Sequence, residues 1–434
     1  MRSSASALAA AVTLALAGAG CSSEPATEET EEGALSLPAE LQGDRFQFRV
    51  NSPEEQQGVD ARNAYGAAVL AKAVYLEKSP AEMAAVLKQL GVGDVREKDV
   101  LIFEAKKSGL DPRTHPIING TNGMYVKTAS AGFLVFRGSE DGVLQDALTN
   151  AQVNGVNPGG VVSNNRAGLG KAHSGYFLGV KSVWSQIRDR LAKEHGDAGR
   201  SKLPLYVIGH SLGGAVGQIA MHHLLFDSCI GGVFNQLDLA GTCEEKYIPV
   251  TALYAFGSPR IGDEEFATTL ASRAKQTGTR VFRFVNEKDQ VSMLPRHVPI
   301  PQIVLPPYRH IGIGGDERAF AIYLGKDGEL VAPVDAPSSC SGSDVAIEGK
   351  NLKDIVQCDL TMSEFLSGIA AGKPPWRTEH SMALYKEKLK ITAQIALLGL
   401  SPKDPKTEDL RKELKASLER LRAQLASMHH TDSR

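Results

Sequence analysis

Residues 203–225 read LPLYVIGHSLGGAVGQIAMHHLL, and the fold turns on how this stretch is read. Leu205 to Ile208 is a short apolar run of the kind that a strand buried on both faces requires. Gly209-His210-Ser211-Leu212-Gly213 follows as a G-x-S-x-G, and from Ala215 the pattern takes a helical period, with Val216, Ile219, Ala220 and Leu224 on one face. Strand, sharp turn and helix in that order make a nucleophile elbow. The turn imposes strained dihedrals on Ser211, so its neighbours must lack bulk, and Gly209 and Gly213 meet that demand. Ser211 then stands at a helix N-terminus, where free N–H groups and the helix dipole favour developing negative charge.

Working outward, a chain of 434 residues can hold one large α/β domain or two ordinary ones. A hydrophobic fraction of 42% supplies a sizeable core, and 48 Lys+Arg against 50 Asp+Glu leave a formal net charge of −2. That balance, with no basic stripe interleaved with aromatics, argues against a nucleic-acid partner. Neither metal-ligand spacing nor a phosphate loop is present, so no cofactor is expected.

The N-terminal end reads as a targeting segment: Arg2, an apolar Ala5 to Leu16, then small residues. The run is too short and Ala-rich for a membrane span. Gly18-Ala19-Gly20-Cys21 resembles a lipobox, in which the Cys is lipidated, although Gly18 stands where a lipobox usually has Leu. A lipid-anchored envelope protein is expected, with simple secretion as the alternative. Cys229, Cys243, Cys340 and Cys358 remain, and in an exported chain the local pairs Cys229–Cys243 and Cys340–Cys358 are expected over free thiols.

Taken in order, Ser22 to about Asp44 is acidic and reads as a solvated tether. Asp60 caps a predicted helix over 61–77, and Ser79-Pro80 opens a second that Gly91 ends. From Pro116 the pattern changes to strands, with 123–128 and 131–136 as neighbours across a tight turn. His173 to Leu191 is helical, and Val250 to Phe256 and Thr279 to Val285 are buried strand candidates. Apolar strands alternating with helices predict a mostly parallel sheet covered on both faces. Residues 325–375 are less regular, with one capping box at Thr361-Met-Ser-Glu364. The tail places Leu410, Leu414, Leu418, Leu421 and Leu425 near heptad spacing, which fits a coiled-coil contact, a helix packed on its own domain or one frayed in solvent.

A serine hydroxyl attacks well only when a base takes its proton and a carboxylate orients that base. Asp289 lies just past a predicted buried strand, where such sheets place their sites. Its competitor Asp263 precedes a helix and reads more simply as an N-cap. His297, His310 and His380 are the downstream bases to choose among, and chain position alone does not separate them. Leu212, the residue after the nucleophile, offers a backbone N–H to an oxyanion.

The blocks LVFRGSED, KAHSGYF, GHSLGGA, YAFGSPRIGD and RFVNEKDQVSMLP, in that order over Tyr65 to Leu389, resemble the fungal-type class 3 lipases. The resemblance implies an α/β-hydrolase fold with Ser211 as nucleophile, Asp289 as acid and His380 as base, within His380-Ser-Met-Ala-Leu-Tyr385. It makes His310 and His173 structural, gives Ser139 an oxyanion role through its N–H and hydroxyl, and places a lid at 141–151 with Val143, Leu144, Ala147 and Leu148 as its apolar face. One departure is Asp289-Gln290, where the family has Asp-Pro. The implied activity is ester hydrolysis, with acylglycerols as substrate and a phospholipid or aromatic ester as alternatives. A catalytically silent lipid- or partner-binding surface lipoprotein is the rival from another class. The expected organisation is an export segment over 1–20, a tether over 21–44, the hydrolase domain over 45–398 and a charged helix over 399–434.

Overall fold

Eight strands form one sheet in the computed structural model, which describes residues 37–105, 120–139, 155–156, 170–195, 203–226, 248–286, 289, 291–294, 308–312, 320–325, 330–331, 346–347, 350–351, 379–400 and 404–431. The export segment with Cys21, lid candidates Val143, Leu144 and Leu148, the cysteines at 229, 243, 340 and 358, His297 and the capping box at Thr361 lie outside the described residues.

The strands are β1 (Val100–Glu104), β2 (Asn122–Lys127), β3 (Gly132–Phe136), β4 (Leu205–His210), β5 (Ala252–Phe256), β6 (Arg280–Asn286), β7 (Ala321–Leu324) and β8 (Leu330–Val331). They lie side by side in chain order. Strands β3 to β7 are parallel, and β1, β2 and β8 add antiparallel edges. The helices are α1 (Pro53–Gln57), α2 (Ala61–Ala73), α3 (Pro80–Gln89), α4 (Ser174–His195), α5 (Leu212–Phe226), α6 (Glu264–Gln276), α7 (Met382–Leu397) and α8 (Pro405–Thr431).

Every residue of β4 is buried, as its unbroken apolar run requires. Tyr206 and Ile208 join the core formed with α2, α3 and α7, whereas Leu205 and Val207 join the core formed with α4, α5 and α6. Alternate side chains of one strand thus serve two helix layers. The resulting fold is an α/β-hydrolase sheet covered by helices.

Local signals placed the helix starts well. The Asp60 carboxylate accepts the Arg62 N–H at the start of α2, and Ser79 and Glu82 form a capping box at α3. Asp263 accepts the Phe266 N–H at 2.9 Å and is the N-cap of α6.

Three features depart from expectation. Helix α2 ends at Ala73 and passes into a 3-10 turn over Val74–Leu76, rather than running on to residue 77. Strand β1 precedes the expected onset of strands: it pairs antiparallel with β2, and that pairing is set by a partner some twenty residues away. Packing also begins before residue 45, because Leu41 is fully buried and Asp44 nearly so. Asp44 accepts from the Tyr65 hydroxyl and pairs with Lys386 and Lys390 on α7, partners that an acidic tether sequence does not disclose.

The C-terminal helix α8 packs on α7. Leu414 and Leu418 are buried against Leu384 and Ile391, with Leu410 and Leu421 at the margin. Of the three readings of the leucine spacing, this is the helix on its own domain.

Candidate active site

The carboxyl ends of four neighbouring parallel strands converge on one point. The loop after β3 carries Gly138 and Ser139, β4 leads into Ser211, β5 into Gly257, and β6 into Asp289. This is the edge at which open α/β sheets bind ligands.

At the elbow, Ser211 has φ +57°, one of three non-glycine residues with positive φ among those described. Its N–H donates to Phe256 O at 2.8 Å, which ties the strained turn to β5. A Cβ at Gly209 would lie 2.2 Å from Gly213 O, and one at Gly213 would lie 2.4 Å from Phe136 O. Both positions are therefore closed to any side chain.

The Ser211 Oγ–H donates to His380 Nε2 at 2.7 Å. His380 Nδ1–H donates to the Asp289 carboxylate, 3.0 Å from Oδ1 and 2.9 Å from Oδ2. That carboxylate also accepts the Val291 N–H at 3.0 Å and the Tyr385 hydroxyl at 2.7 Å. All three side chains are buried, and Asp289 is sealed completely. The carboxylate fixes the ring tautomer with the lone pair on Nε2, facing the hydroxyl whose proton it would take.

The base is placed by its backbone as much as by its ring. His210 Nε2 lies 2.7 Å from His380 O, and a carbonyl can only accept, so Nε2 carries the proton. His210 Nδ1 then accepts from the Tyr75 hydroxyl at 2.7 Å, and the Tyr75 oxygen accepts the Gly138 N–H at 3.1 Å. Burial, with the neighbouring His380, holds the His210 pKa well below its ordinary value, which keeps this chain of donors intact at neutral pH. The two imidazoles stack with centroids 4.8 Å apart.

Gly257 makes room for the acid and the base. Its φ is +55°, and a Cβ there would lie 2.6 Å from Asp289 Oδ2 and 3.0 Å from His380 Nδ1. On the far side, the Asn286 side chain donates to Glu379 O at 2.8 Å and accepts from Lys388 Nζ at 2.8 Å, while its N–H donates to Tyr385.

Two groups at this edge have donors left over. Leu212 opens α5, so its N–H has no acceptor one turn back. The Ser139 Oγ is buried and meets no hydrogen-bond partner among the described residues. Its chain neighbour Gly138 approaches the elbow, where a Cβ would lie 2.9 Å from Ser211 Cβ, and a buried hydroxyl left without a partner calls for an explanation such as a ligand. The loop is held by Arg137, which pairs with Glu77.

The other histidines are placed elsewhere. His310 is buried and donates from Nε2 to Ser292 O at 2.6 Å, bracing the turn after Asp289. His173 stacks on Tyr176 with centroids 4.0 Å apart, and burial lowers its pKa to about 3. His222 and His223 lie inside the helix layer against Phe226 and Trp184. Among the described residues no group of three His, Cys, Asp or Glu side chains is arranged to hold a metal ion.

Tyr75, Gly257, Asn286, Tyr385 and Lys388 were not singled out from the sequence. The glycine in YAFGSPRIGD and the tyrosine five residues after His380 were the available signals. Nothing near Tyr75 or Lys388 marks either.

A strained serine at a strand-to-helix elbow, hydrogen-bonded to a histidine and through it to an aspartate at the next strand but one, defines the serine-hydrolase class of α/β-hydrolases. Residues 133–298 match the family model described as Lipase (class 3). Phospholipase A(1) DAD1, chloroplastic, of Arabidopsis thaliana is 28% identical over 152 residues, 35% of this chain and 28% of that protein. Phospholipase A1-Igamma2, chloroplastic, of the same plant is 35% identical over 119 residues, 27% of this chain and 20% of that protein. Secreted mono- and diacylglycerol lipase A of Penicillium camembertii is 32% identical over 120 residues, 27% of this chain and 32% of that protein. The chain thus spans about a third or less of each of these relatives' length.

Proposed function

We propose that this chain hydrolyses carboxylic esters, acylglycerols first among them, through an acyl-enzyme on Ser211. The reading rests on one observation above all: Ser211 Oγ, His380 Nε2 and the Asp289 carboxylate form a continuous hydrogen-bonded line, with a 2.7 Å bond at the nucleophile. Ser211 Oγ attacks the ester carbonyl carbon as its proton passes to His380 Nε2. The former carbonyl oxygen becomes an oxyanion that accepts from the Leu212 N–H and from Ser139. The carbon–oxygen bond to the alcohol breaks, and His380 returns the proton to the leaving oxygen. A water then gives a proton to His380 and attacks the acyl carbon; the bond to Ser211 Oγ breaks, His380 returns the proton to that oxygen, and the carboxylic acid leaves.

A fluorophosphonate probe tests the nucleophile. Wild type is expected to label at Ser211, and Ser211→Ala to lose both the label and ester turnover; an unlabelled folded wild type supports the silent binding protein instead. His380→Ala should lose at least about 10³-fold in kcat, whereas His310→Ala should act only through stability.

Acylglycerol is preferred because residues 133–298 match Lipase (class 3) and 120 residues of the chain align at 32% identity with the fungal mono- and diacylglycerol lipase. The two plant relatives named as phospholipases A1 support a second reading, hydrolysis of a phospholipid acyl ester. Initial rates on triacylglycerol emulsions against phosphatidylcholine vesicles separate the two. The export segment, the tether and the lipobox-like Gly18-Ala19-Gly20-Cys21 support a further part of the reading, an envelope location with Cys21 as lipid anchor. The intact mass of the mature protein, starting at a diacylated Cys21 or not, tests that anchor.

A further inference from the structure

His380 stands outside any helix. Ser381 is the N-cap of α7, so Glu379 and His380 form a turn whose geometry no regular ladder fixes. Three tertiary anchors take over. His210 holds the His380 carbonyl, Asn286 holds the Glu379 carbonyl, and the Glu379 carboxylate accepts from Arg422 Nε at 2.9 Å. The last anchor comes from α8, forty-odd residues beyond the base and outside the family segment 133–298.

The Arg422–Glu379 pair is built in rather than loose. The two side chains are 23% and 15% exposed, and Lys388 Nζ, fully buried on α7, lies 3.9 Å from the second Glu379 oxygen. Helix α8 is positioned for this contact by Leu414 and Leu418 against Leu384 and Ile391, and by Ser417 Oγ donating to Glu387 at 2.7 Å. Those anchors sit along the helix that begins just after His380. Lys388 links the same carboxylate to Asn286, and Asn286 reaches Asp289 through Tyr385. One charged contact from α8 therefore joins the network that sets both the base and the acid.

We propose that α8 is a brace for the catalytic centre and that Arg422 is a positioning residue acting on His380 through Glu379. The proposal rests on the reading of His380 as the base. A carboxylate bonded to Arg422 through Oε1, with the Lys388 ammonium 3.9 Å from Oε2, restrains the turn from rotating about its backbone, and a base displaced by about 1 Å costs on the order of 10²-fold in rate. Arg422 touches neither substrate nor reacting atoms, so its loss acts on kcat and leaves substrate affinity alone.

The test compares wild type, Arg422→Ala, Arg422→Lys, Glu379→Gln and the Arg422→Ala/Glu379→Gln double variant, all as full chains, on p-nitrophenyl butyrate. Arg422→Ala is expected to lower kcat about tenfold with KM unchanged, Arg422→Lys to recover most of that loss, and the double variant to be no worse than either single one. A chain stopped after Leu400 should lose more. Arg422→Ala keeps the buried leucines, so it reads the contact even if the shortened chain does not fold. Hydrogen exchange at the amides of 379–386 supplies a readout independent of turnover and is expected to speed up in Arg422→Ala. Wild type that neither labels with fluorophosphonate nor turns over the ester sinks the hydrolase reading, and exchange alone then decides whether α8 braces the turn. A kcat within twofold of an active wild type, a change confined to KM, or exchange unchanged at 379–386 overturns the proposal.

Discussion

His210, the residue before the nucleophile, holds the backbone carbonyl of His380, the residue that faces the nucleophile, at 2.7 Å. Elbow and base are therefore fixed to each other twice, once through Ser211 and once through the ring beside it. The same ring passes the constraint through Tyr75 to Gly138, in the loop that carries Ser139.

Tyr75→Phe cuts this chain at its middle. His210 Nδ1 loses its donor and the Gly138 N–H its acceptor, which costs about 1–3 kcal/mol of stability for each buried group left unpaired. The loop after β3 loosens as well, so kcat should fall about tenfold. Urea unfolding and ester turnover on the same preparation check both effects, and a stable variant with unchanged kcat would refute the link.

Ser139→Ala separates activity from stability in the other direction. Its hydroxyl has no partner among the described residues, so removing it should leave Tm unchanged or slightly raised. Removing an oxyanion donor typically costs about 10²–10³ in kcat, and the retained backbone N–H should keep this loss near the lower end. A fall in Tm with kcat intact would make Ser139 a turn residue.

Gly257→Ala places a methyl group between acid and base. The required φ of +55° and the 2.6 Å approach to Asp289 Oδ2 leave it no room. We expect at least a 10²-fold loss of kcat, about 1–2 kcal/mol of destabilisation, and slower fluorophosphonate labelling. Wild-type labelling kinetics would contradict the geometry.

Acid should unfold the protein early. Burial lowers the pKa of His173, His195, His210, His223 and His310 below the ordinary histidine value. The native state resists these protons and the unfolded state accepts them from about pH 6.5 downward, so stability is present above that pH and falls below it. Each group adds a slope approaching about 1.4 kcal/mol per pH unit once the unfolded histidine is charged. Urea midpoints between pH 7.5 and 5 should decline steadily, and a flat profile would contradict the burial.

What the sequence alone determined was local. The apolar run, the glycine-flanked serine and the helical period after it specify the elbow, because strand burial, positive φ and helix packing each demand particular residues within a few positions. The caps at Asp60, Ser79 and Asp263 are legible for the same reason. Asp289 was legible because it closes a buried strand. His380 was not separable from His310 by position, and it took the family likeness to prefer it.

Tertiary structure decided the rest. Ser211 and His380 are 169 residues apart, and His380 and Asp289 are 91 apart, so no periodicity in the chain records their contact. The same holds for Tyr75 on His210, for Lys386 on Asp44, and for the leucines of α8, whose spacing suits a partner chain as well as α7. Hydrophobic period sets which face of a helix is buried, but the identity of what covers it depends on which distant surface the assembled sheet brings there.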